Sequence, residues 1–553
     1  MPGFEPTTRA RNLERLAGAP FEVLIIGGGI TGAGVAREAA NQGLEVALVE
    51  ARDFASGTSG RSSKLIHGGL RYLEQGDIAL VREAAAERKR LRRMAPHLTT
   101  PAPMLIPVYG RTGAGLYKLR LGLTIYEKLA DVAREERHSV LSREEALAAE
   151  PRLAPDRLQG AALYPEYATD DARLVLDTLK SAQHAGAATV NYLRVVALGP
   201  AGRIRTVELR DGESGAAFTA RARVIVNAAG PWVDAVGRLE GPSARPRLHL
   251  TKGIHLVFRA DDLPVRHCVV MRARDGRPVF TVARGPHVYV GTTDTSYEGP
   301  LEEPTVAAGD ASYLLEAVSR SFVGLDVGPR GVVGQWAGLR PLVREPGKAP
   351  SEISRKDEVT VTATGVVTVA GGKLTTYRRM AERVLAVVAP LVGRTVARSE
   401  AALRPIAGGD LGDAPDIAAY ARSYTVQAGM ESVPPETAAR LIATYGSDAL
   451  AAARAAIEPS ELRPLTPGVP LCAAEVRYAA RSEMARTLAD VLERRSRLAL
   501  FETAAALAVA PAAARILAGE LGWDTCRHDA ELASFARLAA ARLAWRDGGG
   551  TGS

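Results

Sequence analysis

Gly27, Gly29 and Gly32 stand in the spacing G-x-G-x-x-G, with Ile30 and Thr31 between the last two. Three glycines so placed suit a pyrophosphate. The first permits a tight turn, the second lets backbone approach the phosphates, and the third lets a helix pack closely on a strand. The following helix start offers amide N–H groups and the positive end of its dipole to the anion. Glu50 lies eighteen residues past Gly32 and closes the next apolar run. A carboxylate there accepts hydrogen bonds from ribose hydroxyls and repels a 2′-phosphate. The alternative is an incidental glycine turn. The apolar run before, the helical stretch after and the acid at the expected distance favour dinucleotide binding.

The fingerprint alone serves flavin and nicotinamide dinucleotides alike. The next segment, Thr58-Ser59-Gly60-Arg61-Ser62-Ser63-Lys64-Leu65-Ile66-His67-Gly68-Gly69-Leu70-Arg71-Tyr72, is rich in glycine and small hydroxyls. Its backbone can lie along an extended ligand. A flexible linker would have the same glycine and serine but not Leu65-Ile66-His67 or Leu70-Arg71-Tyr72-Leu73. Together with the glycine fingerprint, this segment resembles the FAD-dependent glycerol-3-phosphate dehydrogenases. The resemblance continues in Asp170-Asp171-Ala172-Arg173-Leu174, Asn227-Ala228-Ala229-Gly230-Pro231-Trp232 and Lys252-Gly253-Ile254-His255. It runs on through Gly291-Thr292-Thr293-Asp294, Gly338-Leu339-Arg340-Pro341-Leu342 and Gly371-Gly372-Lys373-Leu374-Thr375-Thr376-Tyr377-Arg378, in the family's order across about 20–400. Gly60-Arg61 and Ala229 are small departures from it.

The resemblance implies non-covalent FAD, with Gly27–Gly32 on the pyrophosphate and Glu50 on the adenosine ribose. Thr58, Ser59, Ser63, Lys64, Leu65 and His67 would line the flavin side, with Gly230 nearby. Gly371, Gly372, Leu374 and Thr375 would approach the isoalloxazine through a second glycine turn and helix start. A helix dipole aimed there stabilises the reduced, anionic ring. The implied reaction converts sn-glycerol 3-phosphate to dihydroxyacetone phosphate by hydride transfer from C2 to flavin N5, with electrons passed to a membrane quinone.

Such a substrate needs cations for a dianionic phosphate and a base or polariser at its hydroxyl. The family blocks offer Arg71, Arg340, Arg355 and Lys373, with hydroxyl donors Tyr72 and Thr293. His255 is the leading base because histidine titrates in the working range. His67 competes, and Arg340 could stabilise an alkoxide while water takes the proton. The residues leave these open, so the catalytic set is His255, Arg340 and Lys373. Oxygen in place of quinone, releasing peroxide, is the nearest alternative. An amine or amino-acid oxidase on the same fold is another, although it would want one carboxylate-binding arginine rather than several cations. A protein binding nucleic acid is disfavoured by an aromatic content of 5%, too low for a stacking platform.

The elements that must hold these residues follow from periodicity. Phe21–Gly27 and Leu44–Glu50 are buried parallel strands around a helix near 30–42, and Val224–Ala228 and Gly365–Ala370 join them. Alternating patterns over about 245–343, such as His287–Gly291, predict an antiparallel sheet. The expected fold is α/β: a Rossmann-like FAD-binding domain with an inserted antiparallel substrate domain, then a C-terminal all-helical domain. The FAD-dependent region would span 21–400, with FAD-binding segments near 21–110, 160–245 and 340–400 and the insertion near 245–340. Residues 1–20 would be an extension, Ala407–Gly412 a linker, 410–545 the helical domain and 546–553 a flexible tail.

With 553 residues, 46% hydrophobic and 24% charged, the chain is an ordinary globular protein rather than a disordered or fibrous one. Cys268, Cys472 and Cys526 are too few and scattered for a disulfide or metal framework. The net charge of +8 suits an anionic ligand or surface. No signal peptide or run of about 18 uncharged apolar residues is apparent, so a spanning helix is not expected. Gly113–Val132 interleaves Leu116, Tyr117, Leu119, Leu121, Leu123, Ile125 and Tyr126 with Lys118 and Arg120, which predicts insertion into an anionic membrane surface. The helix upstream carries a stripe from Val81 to Leu98 and reads as core-packed, with a solvated basic face. The chain is therefore expected in the cytoplasm, peripherally bound to the inner face of the cell membrane. A homodimer would follow from the family alone.

Overall fold

Phe21–Ile26 is apolar on both faces and nearly all buried, as a central parallel strand must be. It pairs in parallel with Val46–Val49 on one side and Ala217–Asn227 on the other. Ala188–Val190 extends the sheet beyond Val46–Val49, and Val367–Ala370 lies parallel to Ala217–Asn227. Leu193–Leu198, Arg205–Asp211 and Glu358–Val361 complete eight strands by antiparallel pairing. Helices Ile30–Asn41, Asp171–His184 and Tyr377–Leu391 share one hydrophobic core with this sheet. The computed structural model describes all residues except 1–3, 6, 67–76, 113, 242–246, 345–356, 398, 400–402, 415, 428–429, 431–432 and 548–553.

The stretch expected as an N-terminal extension contains a helix packed on the sheet. Helix Thr8–Ala17 seats Leu16 in the core on the sheet's other side, and Arg9 Nη2 donates to Asp211 Oδ1 at 2.6 Å.

The second sheet has nine strands and begins well before residue 245. Leu248–Arg259 pairs with Thr295–Ser296, His287–Gly291 and Gly334–Val343, and the sheet continues through Pro278–Arg284 and Cys268–Arg272. It then takes in Met104–Tyr109, Leu158–Tyr164 and Ser139–Ser142. Residues 104–164 therefore belong with the insertion, and Gly334–Val343 crosses the expected limit at 340. Short alternating runs do not reveal which sheet they join, because register is set by the partner strand.

Among the described residues beyond 410, the hairpin Pro464–Thr466/Val469–Cys472 is the one departure from helices and their connections. Ala407–Gly409 is a packed seam rather than a loose linker. A Cβ on Gly409 would lie 2.2 Å from Met94 O, and one on Gly408 would lie 2.5 Å from Tyr445 O. Helix Thr503–Leu521 is long and apolar enough, by length and composition, to cross a membrane, which the sequence reading did not anticipate. Its Ala506, Val509, Ala510, Ala513, Ala514 and Leu517 lie in the core of the C-terminal unit.

Helix Ile78–Met94 packs Val81, Ala84 and Ala85 against Tyr126, Ala130 and Val132. Its basic face is only partly solvated, since Arg88 is buried against Glu166 at 3.2 Å. The next helix, Ala114–Leu129, buries only Leu123 and Tyr126. Its exposed side presents Tyr117, Leu121 and Ile125, at 69%, 50% and 42% exposure.

Candidate cofactor and substrate site

The strand Phe21–Ile26 ends in a turn that only glycines can make. Gly27 has φ +115°, and a Cβ there would lie 2.6 Å from Ala228 O. A Cβ on Gly32 would lie 1.9 Å from Gly27 O, so this glycine sets the helix–strand approach. Gly29 caps helix Ile30–Asn41 with no side chain of its own over the first-turn amides. Ser59 crosses that turn, its Oγ accepting from Ile30 N at 2.9 Å. Glu50 accepts from Gly28 N at 2.7 Å and Arg52 N at 2.9 Å. Burial raises its carboxyl pKa and the backbone donors oppose that rise.

These groups form one wall of a cleft. Gly27, Gly29, Ile30, Thr31 and Glu50 face Ala55–Ser59 and Ser62, and Ala228–Trp232 with Gly230 at φ +55° close the adjoining side. Pro341 and Val369–Leu374 close the far end, where Gly371 and Gly372 turn with φ +72° and +82°. Leu374 opens the single 3₁₀ turn Leu374–Thr376 that leads into helix Tyr377–Leu391. Two glycine turns, each running into a helix start, with a carboxylate at the end of a strand between them, fit an extended dinucleotide. Gly32 and Thr375 support the cleft from behind rather than lining it.

Three residues expected on the flavin side point elsewhere. Lys64 is fully buried, and its ammonium donates to Asp171 Oδ1 at 2.5 Å and Gly60 O at 3.1 Å. With φ +53° at Lys64 the chain turns away from the cleft, and Leu65 enters a short strand opposite Ala168. Ser63 points to His255. Ser62 lines the cleft instead, held by Asp171 Oδ2, which accepts from Ser62 N at 2.9 Å and Ser62 Oγ at 2.7 Å. Asp171 was visible in the sequence as part of a motif, but nothing local marked it as the partner of Lys64. His67, Arg71, Tyr72 and Arg355 lie outside the described residues.

The substrate sheet meets this loop along one face of two paired strands. His255 stands opposite Trp336, Gly253 opposite Gly338, and Thr251 opposite Arg340. A Cβ on Gly338 would lie 2.5 Å from Arg61 O, so the sheet touches the loop directly. Thr58 Oγ1 donates to Leu339 O at 2.6 Å, Trp336 Nε1 to Ser62 O at 3.0 Å, and Tyr289 OH to Ser63 O at 2.8 Å. Tyr289 and Trp336 were not singled out by the sequence reading, since an isolated aromatic in a strand reads as core.

His255 stacks on Trp336, their centroids 4.7 Å apart, and its Nε2 lies 3.0 Å from Ser63 Oγ. Burial, then the cations Arg340 and Lys64, holds its pKa well below the usual 6.5, so the ring is neutral. It stands behind Ser63 rather than in the cleft wall. Arg340 lies beside Pro341 at the cleft's far end. Its Nη1 donates to Thr293 O and Asp294 Oδ1, both at 3.0 Å, and its Nη2 to Thr292 Oγ1 at 3.0 Å. Asp294 thus orients Arg340 and offsets part of its charge. Thr293 does not present its hydroxyl to the cleft. That group accepts from Ile254 N at 3.1 Å and donates to Lys252 O at 3.4 Å, because Thr293 is 2% exposed and needs backbone partners. Lys373 lines the cleft beside the second glycine turn.

Comparison with known proteins agrees with this geometry. The FAD dependent oxidoreductase family matches residues 22–398, and the C-terminal domain of alpha-glycerophosphate oxidase matches residues 399–528. The aerobic glycerol-3-phosphate dehydrogenase of Bacillus subtilis (strain 168) is 38% identical over 505 residues, covering 90% of this chain and 91% of its own. That of Staphylococcus haemolyticus (strain JCSC1435) is 39% identical over 442 residues, 79% of each chain. The crystal structure of glycerol-3-phosphate dehydrogenase from Bacillus halodurans complexed with FAD superposes with a TM-score of 0.81 at 30% identity, covering 98% of each chain. L-alpha-glycerophosphate oxidase from Mycoplasma pneumoniae, also with FAD bound, shares the fold over 69% of this chain at 18% identity and a TM-score of 0.54. With a glycine cradle, a helix start and a strand-end carboxylate lining one cleft, the chain belongs to the FAD-dependent oxidoreductases, among the aerobic glycerol-3-phosphate dehydrogenases, and its cofactor is FAD.

Proposed function

We propose that this chain oxidises sn-glycerol 3-phosphate to dihydroxyacetone phosphate and passes the electrons to a membrane quinone. The observation that carries the substrate reading is Lys373 in the cleft wall beside the second glycine turn, with Arg340 next to Pro341 at the same end and neutral His255 bonded to Ser63 behind the wall. When bound, FAD supplies the two-electron acceptor for the hydride leaving C2. Lys373 and Arg340 hold the dianionic phosphate and the oxygen of the reacting alcohol. The hydroxyl proton leaves to water while Arg340 offsets the developing alkoxide charge, and neutral His255 holds Ser63 Oγ from behind the cleft wall. Trp336, stacked on His255, keeps the imidazole in place.

The acceptor reading is supported by helix Ala114–Leu129. Tyr117, Leu121 and Ile125 form its exposed stripe, and Lys118, Arg120 and Lys128 are exposed beside them. At ~100° per residue, Arg120 and Lys118 flank the two edges of that stripe. Apolar side chains ringed by cations suit the interface of an anionic bilayer, where a quinone resides. On this reading the enzyme sits on the inner face of the cell membrane.

The test is anaerobic. Glycerol 3-phosphate should bleach the flavin of the purified holoprotein, and glycerol, glycine and proline should not. Arg340→Ala should keep FAD but slow bleaching by about 100-fold, the loss of a charge-assisted contact worth ~3 kcal/mol. Reoxidation by a short-chain quinone much faster than by air supports the quinone, and the reverse order supports oxygen. Equal bleaching by plain glycerol refutes the phosphate reading.

A further inference from the structure

The loop that lines the cleft, residues 51–62, has no regular structure beyond the single 3₁₀ turn Thr58–Gly60. It is tied at two points to one place in the C-terminal unit. Near its start, Asp53 is buried and absent from the cleft wall. Its carboxylate accepts from Arg494 Nε at 2.5 Å, from Arg495 Nη1 at 2.5 Å and Nη2 at 2.9 Å, and from Asn191 Nδ2 at 3.2 Å. Near its end, Arg61 Nη2 donates to Glu303 Oε1 at 2.5 Å. Glu303 Oε2 accepts from Arg542 Nη2 at 3.2 Å, and Arg542 Nη1 lies 2.9 Å from Glu493 Oε1. Both ties therefore end on Asp490–Arg495, a six-residue π-helical turn.

The turn is itself held from both sides. Arg495 Nη2 donates to Glu483 O at 2.7 Å, Arg494 Nη2 to Asp490 Oδ1 at 2.6 Å, and Tyr192 OH to Asp490 Oδ1 at 2.7 Å. A π turn is rare and recurs at functional sites. Two guanidinia on one buried carboxylate fix its position and orientation. A loop so fixed loses less conformational freedom when a ligand settles on it.

We infer that the Asp490–Arg495 turn is a positioning element for FAD: through Asp53 and Glu303 it holds residues 51–62 in their cofactor-binding shape, although it touches no part of the cleft. The inference rests on FAD binding in this cleft. It assigns the C-terminal unit a role in cofactor affinity.

The experiment titrates the apoprotein of the full chain with FAD by flavin fluorescence and measures melting with and without FAD. Arg495→Gln should weaken FAD binding by about tenfold or more, within the usual range of coupling between sites. Arg495→Lys, which keeps the charge but not the fork, should recover part of that loss. Glu303→Gln breaks the second tie at a half-exposed side chain and should weaken FAD by several-fold. If Arg495→Gln does not fold, Arg495→Lys and Glu303→Gln decide. The control is Arg477→Gln, which breaks ion pairs to Glu461 and Glu520 within the C-terminal unit. It should lower apoprotein melting but leave FAD affinity within about twofold. The inference is overturned if the Arg495 and Glu303 variants bind FAD as tightly as the native chain, or lower apoprotein and holoprotein melting equally. Failure of the native chain to bind FAD would instead overturn the cofactor reading.

Discussion

Gly32→Ala is the most direct test of the cradle. The added methyl would lie 1.9 Å from Gly27 O and 3.1 Å from Gly27 C, against 3.4 Å where ordinary contact begins. Something must move by about 1.5 Å. Gly27 has little room to yield, since its own turn already brings the Cβ position within 2.6 Å of Ala228 O. The helix start must lift, although Gly34 on that helix packs against Tyr377, where a Cβ would lie 2.7 Å from Cδ2. Overpacking of this kind costs about 1–3 kcal/mol in stability. Lifting the first-turn amides also weakens their bonds to the pyrophosphate, at ~1.5–3 kcal/mol for each charge-assisted bond lost. FAD affinity should fall by roughly two orders of magnitude, or about 3 kcal/mol. Fluorescence titration of the apoprotein measures it, with Gly43→Ala as the comparison. Gly43 has φ +77° and nothing within 4 Å of its Cβ position, so that change should cost about 1 kcal/mol of stability and no affinity. A Gly32→Ala protein with native FAD affinity and melting would refute the reasoning.

Other outcomes follow from the same structure. Asp171→Asn leaves the Lys64 ammonium buried without its counter-charge. It should destabilise by about 3–5 kcal/mol, and Lys64→Met/Asp171→Leu should recover part of that, less what the two bonds from Ser62 contribute. Thermal melting checks this, and a single variant no weaker than the double would count against it. Two acid-side steps should appear in stability against pH. His255 is held neutral in the fold while the unfolded chain takes a proton near 6.5, so stability should fall as pH drops through 6.5, and His255→Gln should flatten that step. Glu303 is brought down from 4.5 to about 2, burial opposing the shift and Arg61 and Arg542 driving it. Its contribution should be present above 4.5 and lost between there and about 2, a step absent in Glu303→Gln. Leu121→Glu with Ile125→Glu should reduce binding to phosphatidylglycerol vesicles by more than about tenfold in a flotation assay, since each buried leucine or isoleucine is worth ~1.5–3 kcal/mol. Unchanged binding would exclude that helix as the contact.

The cofactor cradle was legible in the chain because its signal is local. Gly27 and Gly32 sit where a Cβ cannot fit, a Cβ on Gly29 would crowd Ser59 Oγ at 3.1 Å, and Glu50 follows the neighbouring strand. Such constraints act over a few residues, so spacing alone encodes them. The parallel strands were legible for the same reason: burial on both faces leaves a nearly continuous apolar run, broken only by Glu22 in one strand and Thr368 in the other. The fate of the long polar side chains was not. Lys64 reads as a cleft residue until Asp171, 107 positions away, proves to be its partner. Thr293 reads as a substrate donor until its hydroxyl is found satisfied by Ile254 and Lys252. Asp53 carries no signal at all until Arg495, 442 positions on, reaches it. Backbone shape is written in neighbours along the chain. A charge's partner is chosen by whatever the fold brings within about 3 Å of it, because in a dry interior only such contacts offset desolvation.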